Sequence, residues 1–588
     1  MFQFRFVHAA QVTLCVALAT LWCAPCLAQN ASSTAPAASA SSASDKRTAI
    51  LHELDAMKKR IDELEAELKK TDAEEQQSRA REATAVKLPV QATTETVAAG
   101  AANGNAGGVS ASDASAQAAL DPVVVPADAK EQSSSATPAV QESVPAADKA
   151  EKKPASEPFA FADFSWLNGN SREKDTPLDT KLFTPEFRAD VSYIYDFNHP
   201  KDDTLVGSSE SGRTQEIQIQ QLGIGGDFHY DNVRGRLMTQ FGMYSTMTPR
   251  NDASPARGQW DLSNAYRYLS EAYGGYHFDV MHGINVDAGI FMSYIGLFSY
   301  YNYDNWAYQP SYVSSNTPWF FNGLRVQIFP TDKLKIEPWF INGWQSYGRF
   351  NKFPGLGGQI AWRPTGWLSF VFNNYGMGTD TLGVPGHSRL HTDDSVEVKY
   401  YDRPEKTLDK AAFSLTGDAG CEYGGGVTCH GGKAGPKQSF LGYMIYNRFW
   451  FDKDKYGFTV GGGQINNPGR YLVLLPPING ATAVTGSPYF TGNPGDPFKA
   501  WDASATFDYM PKQYITFRWE FDHRGANVPY FAGPGGVTPP GGNNGNSASF
   551  VCSNGSAAVA GSCGALGLWS PDLRKAENRL DLSILVKF

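Results

Sequence analysis

From residue 187 onward, apolar and polar positions alternate with a period of two. Phe187, Ala189, Val191, Tyr193, Tyr195 and Phe197 interleave with Arg188, Asp190, Ser192, Ile194 and Asp196. Val233, Gly235, Leu237, Thr239 and Phe241 interleave with Arg234, Arg236, Met238 and Gln240. Ile515, Phe517, Trp519 and Phe521 interleave with Thr516, Arg518, Glu520 and Asp522. Successive side chains of a strand point to opposite faces, so each run predicts one apolar face and one charged face. The apolar face is rich in large aromatics near the strand ends, and the other face carries charges of both signs. A soluble sandwich buries its apolar faces against each other; a membrane barrel turns them outward around a wet lumen.

The connections alternate in length. Short turns are expected at Asp231-Asn232, around His282, at Thr331-Asp332, at Pro364-Thr365-Gly366, around Arg403-Pro404, at Asp452 to Lys455 and at Pro511-Lys512. Between them fall long polar loops at 198–214, 245–264, 297–318, 343–355, 377–393, 418–437, 467–499 and 524–576. Alternating short turns and long loops is the signature of a transmembrane antiparallel β-barrel, here of about 16 strands with both ends on the periplasmic side. The fold class is therefore all-β, with the barrel assigned to residues 158–588. The final run places Leu580, Leu582, Ile584, Val586 and Phe588 on one face. A terminal Phe on such a strand resembles the signal read by the barrel-assembly machinery of outer membranes.

The first part of the chain follows other rules. Residues 1–28 read as a signal peptide: Arg5 and His8 precede an apolar stretch from Val12 to Trp22, and Cys26-Leu27-Ala28 suits cleavage before Gln29. Residues 29–45, rich in Ala, Ser, Thr and Pro, form a tether. Over 46–80, Ile50, Leu54, Met57, Ile61, Leu64 and Leu68 alternate spacings of four and three, predicting a short coiled coil of about three heptads. A helix of that length is marginal alone, which makes association into a homotrimer attractive and a charged spacer helix the plainer alternative. Residues 81–157 return to Ala, Ser, Pro, Val and Glu without period and are read as a disordered linker.

Composition adds limits. The chain has 588 residues, 13% aromatics, 58 glycines and a formal net charge of −9. This mild acidity leaves no basic stripe for nucleic acid. Beyond the signal no apolar run reaches the length of about 20 residues that a membrane helix needs, so any span must be a barrel in contact with outer-membrane lipid. Cys15, Cys23 and Cys26 leave with the signal. The other four, Cys421, Cys429, Cys552 and Cys563, form two close pairs and are expected as two loop disulfides in an oxidising compartment. Their spacings do not suit zinc.

Several segments resemble the family described as putative β-barrel porin-2, or OmpL-like. They are Asp287-Ala288-Gly289 with Gly296, Asn342-Gly343-Trp344, Asn467-Pro468-Gly469-Arg470, Asp502 to Pro511, the run Asn527 to Gly533, and Gly535 to Pro540. The resemblance covers about residues 180–588 and implies an outer-membrane channel, with no substrate and no functional residues to carry across. The coiled coil also resembles the N-terminal arrangement of some trimeric substrate-specific porins.

A barrel of about 16 strands is wide enough for an aqueous channel. Alternation turns Arg188, Arg234, Arg236, Asp287, Arg325, Lys335, Glu337, Arg363, Glu397, Lys399, Arg518, Glu520 and Arg579 inward. Arg234, Arg236, Arg325 and Arg518, with Glu520, are taken as the pore-lining group because they sit near mid-strand; ordinary solvated lumen residues would look the same. The third long loop, 297–318, is the expected constriction. It carries Tyr300, Tyr301, Tyr303, Trp306, Tyr308 and Tyr312, and Asp304 is its one acid. Packing at the barrel mouth is the plainer reading of that loop. His387, Arg389, His391 and Asp393 share a face if extended, which permits a metal; polar residues at the membrane surface explain them equally well. Gly461-Gly462-Gly463 lacks the ending of a phosphate loop and reads as packing or a bulge. No cofactor and no catalytic residue are implied. Two other functions remain open: an outer-wall hydrolase, and a structural barrel tethering the envelope through its N-terminal arm.

Overall fold

The computed structural model describes residues 157–209, 211–249, 252–254, 257–377, 386–431, 437–469, 497–538 and 571–588, together with Lys58 and Lys59. The chain divides into two units, Met1–Val125 and Pro126–Phe588. Of the first, only Lys58 and Lys59 are described, and they are helical and exposed. The signal, the tether and the rest of the heptad stretch lie outside the described residues.

The second unit is a closed barrel of sixteen strands, every neighbouring pair antiparallel. The first seven are β1 (Phe183–Asp196), β2 (Ile217–Tyr230), β3 (Val233–Thr239), β4 (Leu269–Phe278), β5 (Ile284–Met292), β6 (Phe320–Thr331) and β7 (Leu334–Ile341). Then come β8 (Gly355–Thr365), β9 (Leu368–Met377), β10 (Ser388–Asp402), β11 (Leu408–Tyr423) and β12 (Ser439–Phe451). β13 (Tyr456–Asn467), β14 (Phe498–Lys512), β15 (Ile515–Ala526) and β18 (Ala576–Lys587) complete it. Two-residue strands β16 (Phe531–Ala532) and β17 (Leu573–Arg574) form a separate two-stranded sheet, with Phe531 and Ala532 buried in a cluster that includes Tyr312.

Closure is made by β1 against β18, in register from Arg188↔Lys587 to Asp196↔Arg579. The seam ends on Phe588, whose backbone exchanges both hydrogen bonds with Phe187, at 2.7 and 3.1 Å. Their rings stack with centroids 5.1 Å apart.

The predicted inversion of faces is present around the wall. Ile224, Leu237, Phe340, Trp362, Phe372, Ile445, Phe507, Trp519 and Phe521 are exposed on the outside. Arg188, Asp190, Ser192, Asp287, Glu337, Arg518, Glu520 and Arg579 are shielded inside. A bulge on β2 breaks the alternation: Asp190 pairs with Gln221 and Val191 with Ile219, so Gln220 is extra and both glutamines turn inward.

Turns at one end are tight, as at Asp231, which takes φ 56°, and at Asp452, Lys453 and Asp454, with φ of 54°, 57° and 62°. At the other end the loops are long. Two loops are shorter than the residue pattern suggested, because β10 begins at Ser388 and β11 runs on to Tyr423. Polar residues on these extensions face a wet lumen and need no loop to explain them. Consequently His387, Arg389, His391 and Asp393 lie inside the barrel, buried beside Asp418 and Glu422 of β11.

The lumen is crowded. One apolar cluster joins Phe159, Phe164 and Trp166, ahead of β1, to Phe298 and Trp306 between β5 and β6. The same cluster reaches Phe329, Trp450 and Met510 on the wall.

Candidate pore constriction

The connection from β5 to β6, residues 293–319, folds into the barrel. It contains a 3-10 turn, Asn302–Asp304, and one helical turn, Tyr312–Ser315. Tyr300, Tyr301, Asp304 and Trp306 are all buried there. An irregular backbone can sit at this depth only if the wall satisfies its polar groups, and inward polar residues of the strands do so.

Three wall carboxylates each accept two hydrogen bonds from the loop. Glu520 of β15 takes the backbone N–H groups of Tyr308 and Gln309, each at 2.6 Å, and the Thr506 hydroxyl at 2.6 Å. Asp502 of β14 accepts from the Ser311 hydroxyl at 2.8 Å and the Tyr312 N–H at 3.1 Å. Asp190 of β1 accepts from Asn302 Nδ2 and the Tyr308 hydroxyl, both at 2.9 Å.

Arginines hold the loop's carbonyls and its one acid. Arg518 forks onto Asp508 at 2.7 and 3.0 Å and donates onward to the carbonyls of Asn302 (3.1 Å) and Asn305 (2.6 Å). Arg448 bridges Asp508 (2.7 Å) and the carbonyl of Trp306 (3.1 Å). Arg188 meets Asp304 at 2.8 Å, contacts Glu186, and lies 4.0 Å above the Tyr301 ring. Paired buried charges of this kind hold a loop in one place.

The tyrosines act as donors. Tyr300 gives its hydroxyl proton to Gln240 Oε1 at 2.6 Å and Tyr301 to Glu271 at 2.9 Å, both on the wall arc from β3 to β4. Burial pushes the phenols of Tyr301, Tyr303 and Tyr308 up, so they stay protonated. Glycines make room on the opposite wall. A Cβ on Gly442 would lie 2.9 Å from Val313 Cγ2, and one on Gly463 would lie 2.5 Å from Ser311 Oγ. Of the Gly461-Gly462-Gly463 run, Gly463 thus faces the start of the helical turn, while a Cβ on Gly461 or Gly462 would instead meet Tyr446 or the backbone of Asp502 on the neighbouring strands.

The expected pore arginines do not form one group. Arg234 and Arg325 flank Asp287 of β5, at 3.3 and 2.8 Å, and Arg325 is stacked among Tyr273, Phe291 and Trp339. Arg236 sits among Glu186, Asp227 and Glu271 at 2.8 to 3.0 Å. Arg518 lies apart on β15, under the loop. Asp190, Asp502, Asp508 and Arg448 anchor the loop without having been singled out. Their inward parity was readable, but nothing in the sequence couples them to a segment up to two hundred residues away.

Where a cation would find ligands, the described residues offer one gathering: carboxylate oxygens of Glu520, Asp522 and Asp581 within 4.8 Å of one another. Arg579 Nη2 is 4.0 Å from Asp522, which offsets part of that charge. Cys421 and Cys429 are joined as a disulfide at the end of β11; Cys552 and Cys563 lie outside the described residues.

A closed barrel with an apolar exterior, a charged interior and an infolded loop defines the outer-membrane porin class. The model of the family described as putative beta-barrel porin-2, OmpL-like, matches residues 188–554, and the chain belongs to that family. No curated protein matches it. Among solved structures it is similar to the outer membrane protein OmpT of Vibrio cholerae, at 8% identity over 70% of this chain and 99% of that one, with a TM-score of 0.37. It is also similar to the outer membrane channel DcaP of Acinetobacter baumannii, at 12% identity over 69% and 96%, with a TM-score of 0.36. OprB of Pseudomonas putida matches at 11% identity over 69% and 94%, with a TM-score of 0.38.

Proposed function

We propose that this porin is a passive channel for small hydrophilic solutes or ions, narrowed by residues 293–319, and that it carries out no covalent chemistry. The observation that carries this reading is the charged interior of a closed sixteen-stranded wall. Arg234, Arg236, Arg325, Arg518 and Glu520 are the proposed lumen charges, with Arg518 and Glu520 acting through the loop they hold. The short-turn end faces the periplasm, where the N-terminal arm lies and its heptad stretch joins three copies.

The test is single-channel conductance in a planar bilayer, with the full mature chain and with residues 29–156 removed. Ohmic steps support the channel, and steps grouped in threes only when the arm is present support the trimer. A correctly folded barrel that stays silent would overturn the open-channel reading and favour the envelope tether or the outer-wall hydrolase.

A further inference from the structure

The constriction has a second set of supports, supplied by the chain ahead of β1. Residues 157–175 cross the short-turn mouth, tied to three of its turns. Phe159 N–H donates to the carbonyl of Asp332 at 2.7 Å, Trp166 Nε1 to that of Gly366 at 3.1 Å, and Arg172 Nη2 to that of Ile515 at 2.9 Å.

At its innermost point this segment touches the loop. Trp306 N–H donates to Asn168 Oδ1 at 2.7 Å, and Gly169 N–H donates to the carbonyl of Asp304 at 3.1 Å. The N–H of Asn168 itself is held by Glu397 Oε1 of β10 at 2.8 Å. Gly169 takes φ 76°, and a Cβ there would lie 2.7 Å from the carbonyl oxygen of Leu297. The approach therefore needs glycine, both for its backbone and for its lack of a side chain. Asn168, Gly169 and Trp306 are all buried, so a lost acceptor is not replaced by bulk water.

We propose that Asn168 and Gly169 are positioning residues for the constriction, setting how far the 304–306 stretch reaches into the lumen and hence the size of solute that passes. This rests on the channel reading above. From the wall, Glu520 and Asp502 hold residues 308–312, and Arg188, Arg518 and Arg448 hold the Asp304 carboxylate and the carbonyls of Asn305 and Trp306, leaving the Trp306 N–H to Asn168. From the chain ahead of the barrel, Phe159, Phe164 and Trp166 share an apolar cluster with Trp306, while Asn168 and Gly169 make the hydrogen bonds to the 304–306 stretch among the described residues. Without them the least costly response is for that stretch to move, because a buried amide must find another acceptor.

The experiment compares the full mature chain with Asn168→Ala and with Gly169→Ala in planar bilayers. It reads conductance and the largest polyethylene glycol that still lowers it. Heat-modifiable electrophoretic mobility and thermal unfolding report folding separately. Asn168→Ala and Gly169→Ala are expected to shift conductance by a factor of about two and to change the polymer cut-off, with the barrel still folded. Wild-type conductance and cut-off in a folded Asn168→Ala channel would overturn the proposal, whether or not Gly169→Ala folds. Silent parent and silent folded variants would instead overturn the channel reading itself. A silent parent with conducting variants would support the proposal, with the two segments together closing the lumen.

Discussion

Asp304, the one acid of the infolded loop, lies 2.8 Å from Arg188 of the first barrel strand, and both side chains are almost fully buried. Removing one partner of a buried pair costs about 3–5 kcal/mol, because the other charge is left without compensation. Here Glu186 remains beside Arg188, which places the cost at the low end. Asp304→Asn is expected to loosen the loop while leaving the barrel closed. Amide hydrogen exchange over residues 300–306 should speed up by about a hundredfold, the equivalent of roughly 3 kcal/mol. Unchanged exchange there would show that the pair does not hold the loop.

The lipid-facing belt makes a separate prediction. Ile445 lies mid-strand on β12 and is 46% exposed on the outside of the wall. Ile445→Lys is expected to destabilise the barrel by about 2–4 kcal/mol, the cost of a lysine near the bilayer midplane. Reversible denaturant unfolding in phospholipid vesicles measures it. A change near zero would mean that this face does not meet hydrocarbon.

Cys421 and Cys429 close a short loop beyond β11, and Cys552 with Cys563 is the remaining expected pair. Peptide mapping without reductant should return each pair linked and no cross-pairing. Because the Cys421–Cys429 link lies at one end of the barrel, Cys421→Ser with Cys429→Ser should leave heat-modifiable mobility intact. Loss of the folded band would assign the bond a role in barrel formation.

Phe588 closes the seam against Phe187 through two backbone hydrogen bonds and a stacked ring. Its deletion is expected to lower the amount of folded barrel in the outer membrane, with the unfolded chain accumulating in the periplasm. In vitro refolding into detergent separates the causes. A variant that refolds at the parental yield has lost a recognition signal; one that does not has lost a seam contact.

The wall of this protein was legible in its sequence because a strand's alternation records directly which face meets lipid and which meets the lumen. Strand number, the inward parity of Arg188, Asp287, Glu397, Arg518 and Glu520, and the aromatic loop at 297–318 all follow from that local period. Where polar residues lined both a strand end and a loop, as at 388–393, the pattern misplaced a boundary. Tertiary structure alone decided what the inward residues do. Asp502, Asp508 and Arg448 hold a loop that lies more than a hundred residues away in the chain. Asn168 and Gly169 reach that loop from a stretch with no period at all. Contacts between distant segments leave no local trace, because they depend on which backbone amides and carbonyls a folded loop presents unsatisfied and which wall residues stand opposite them.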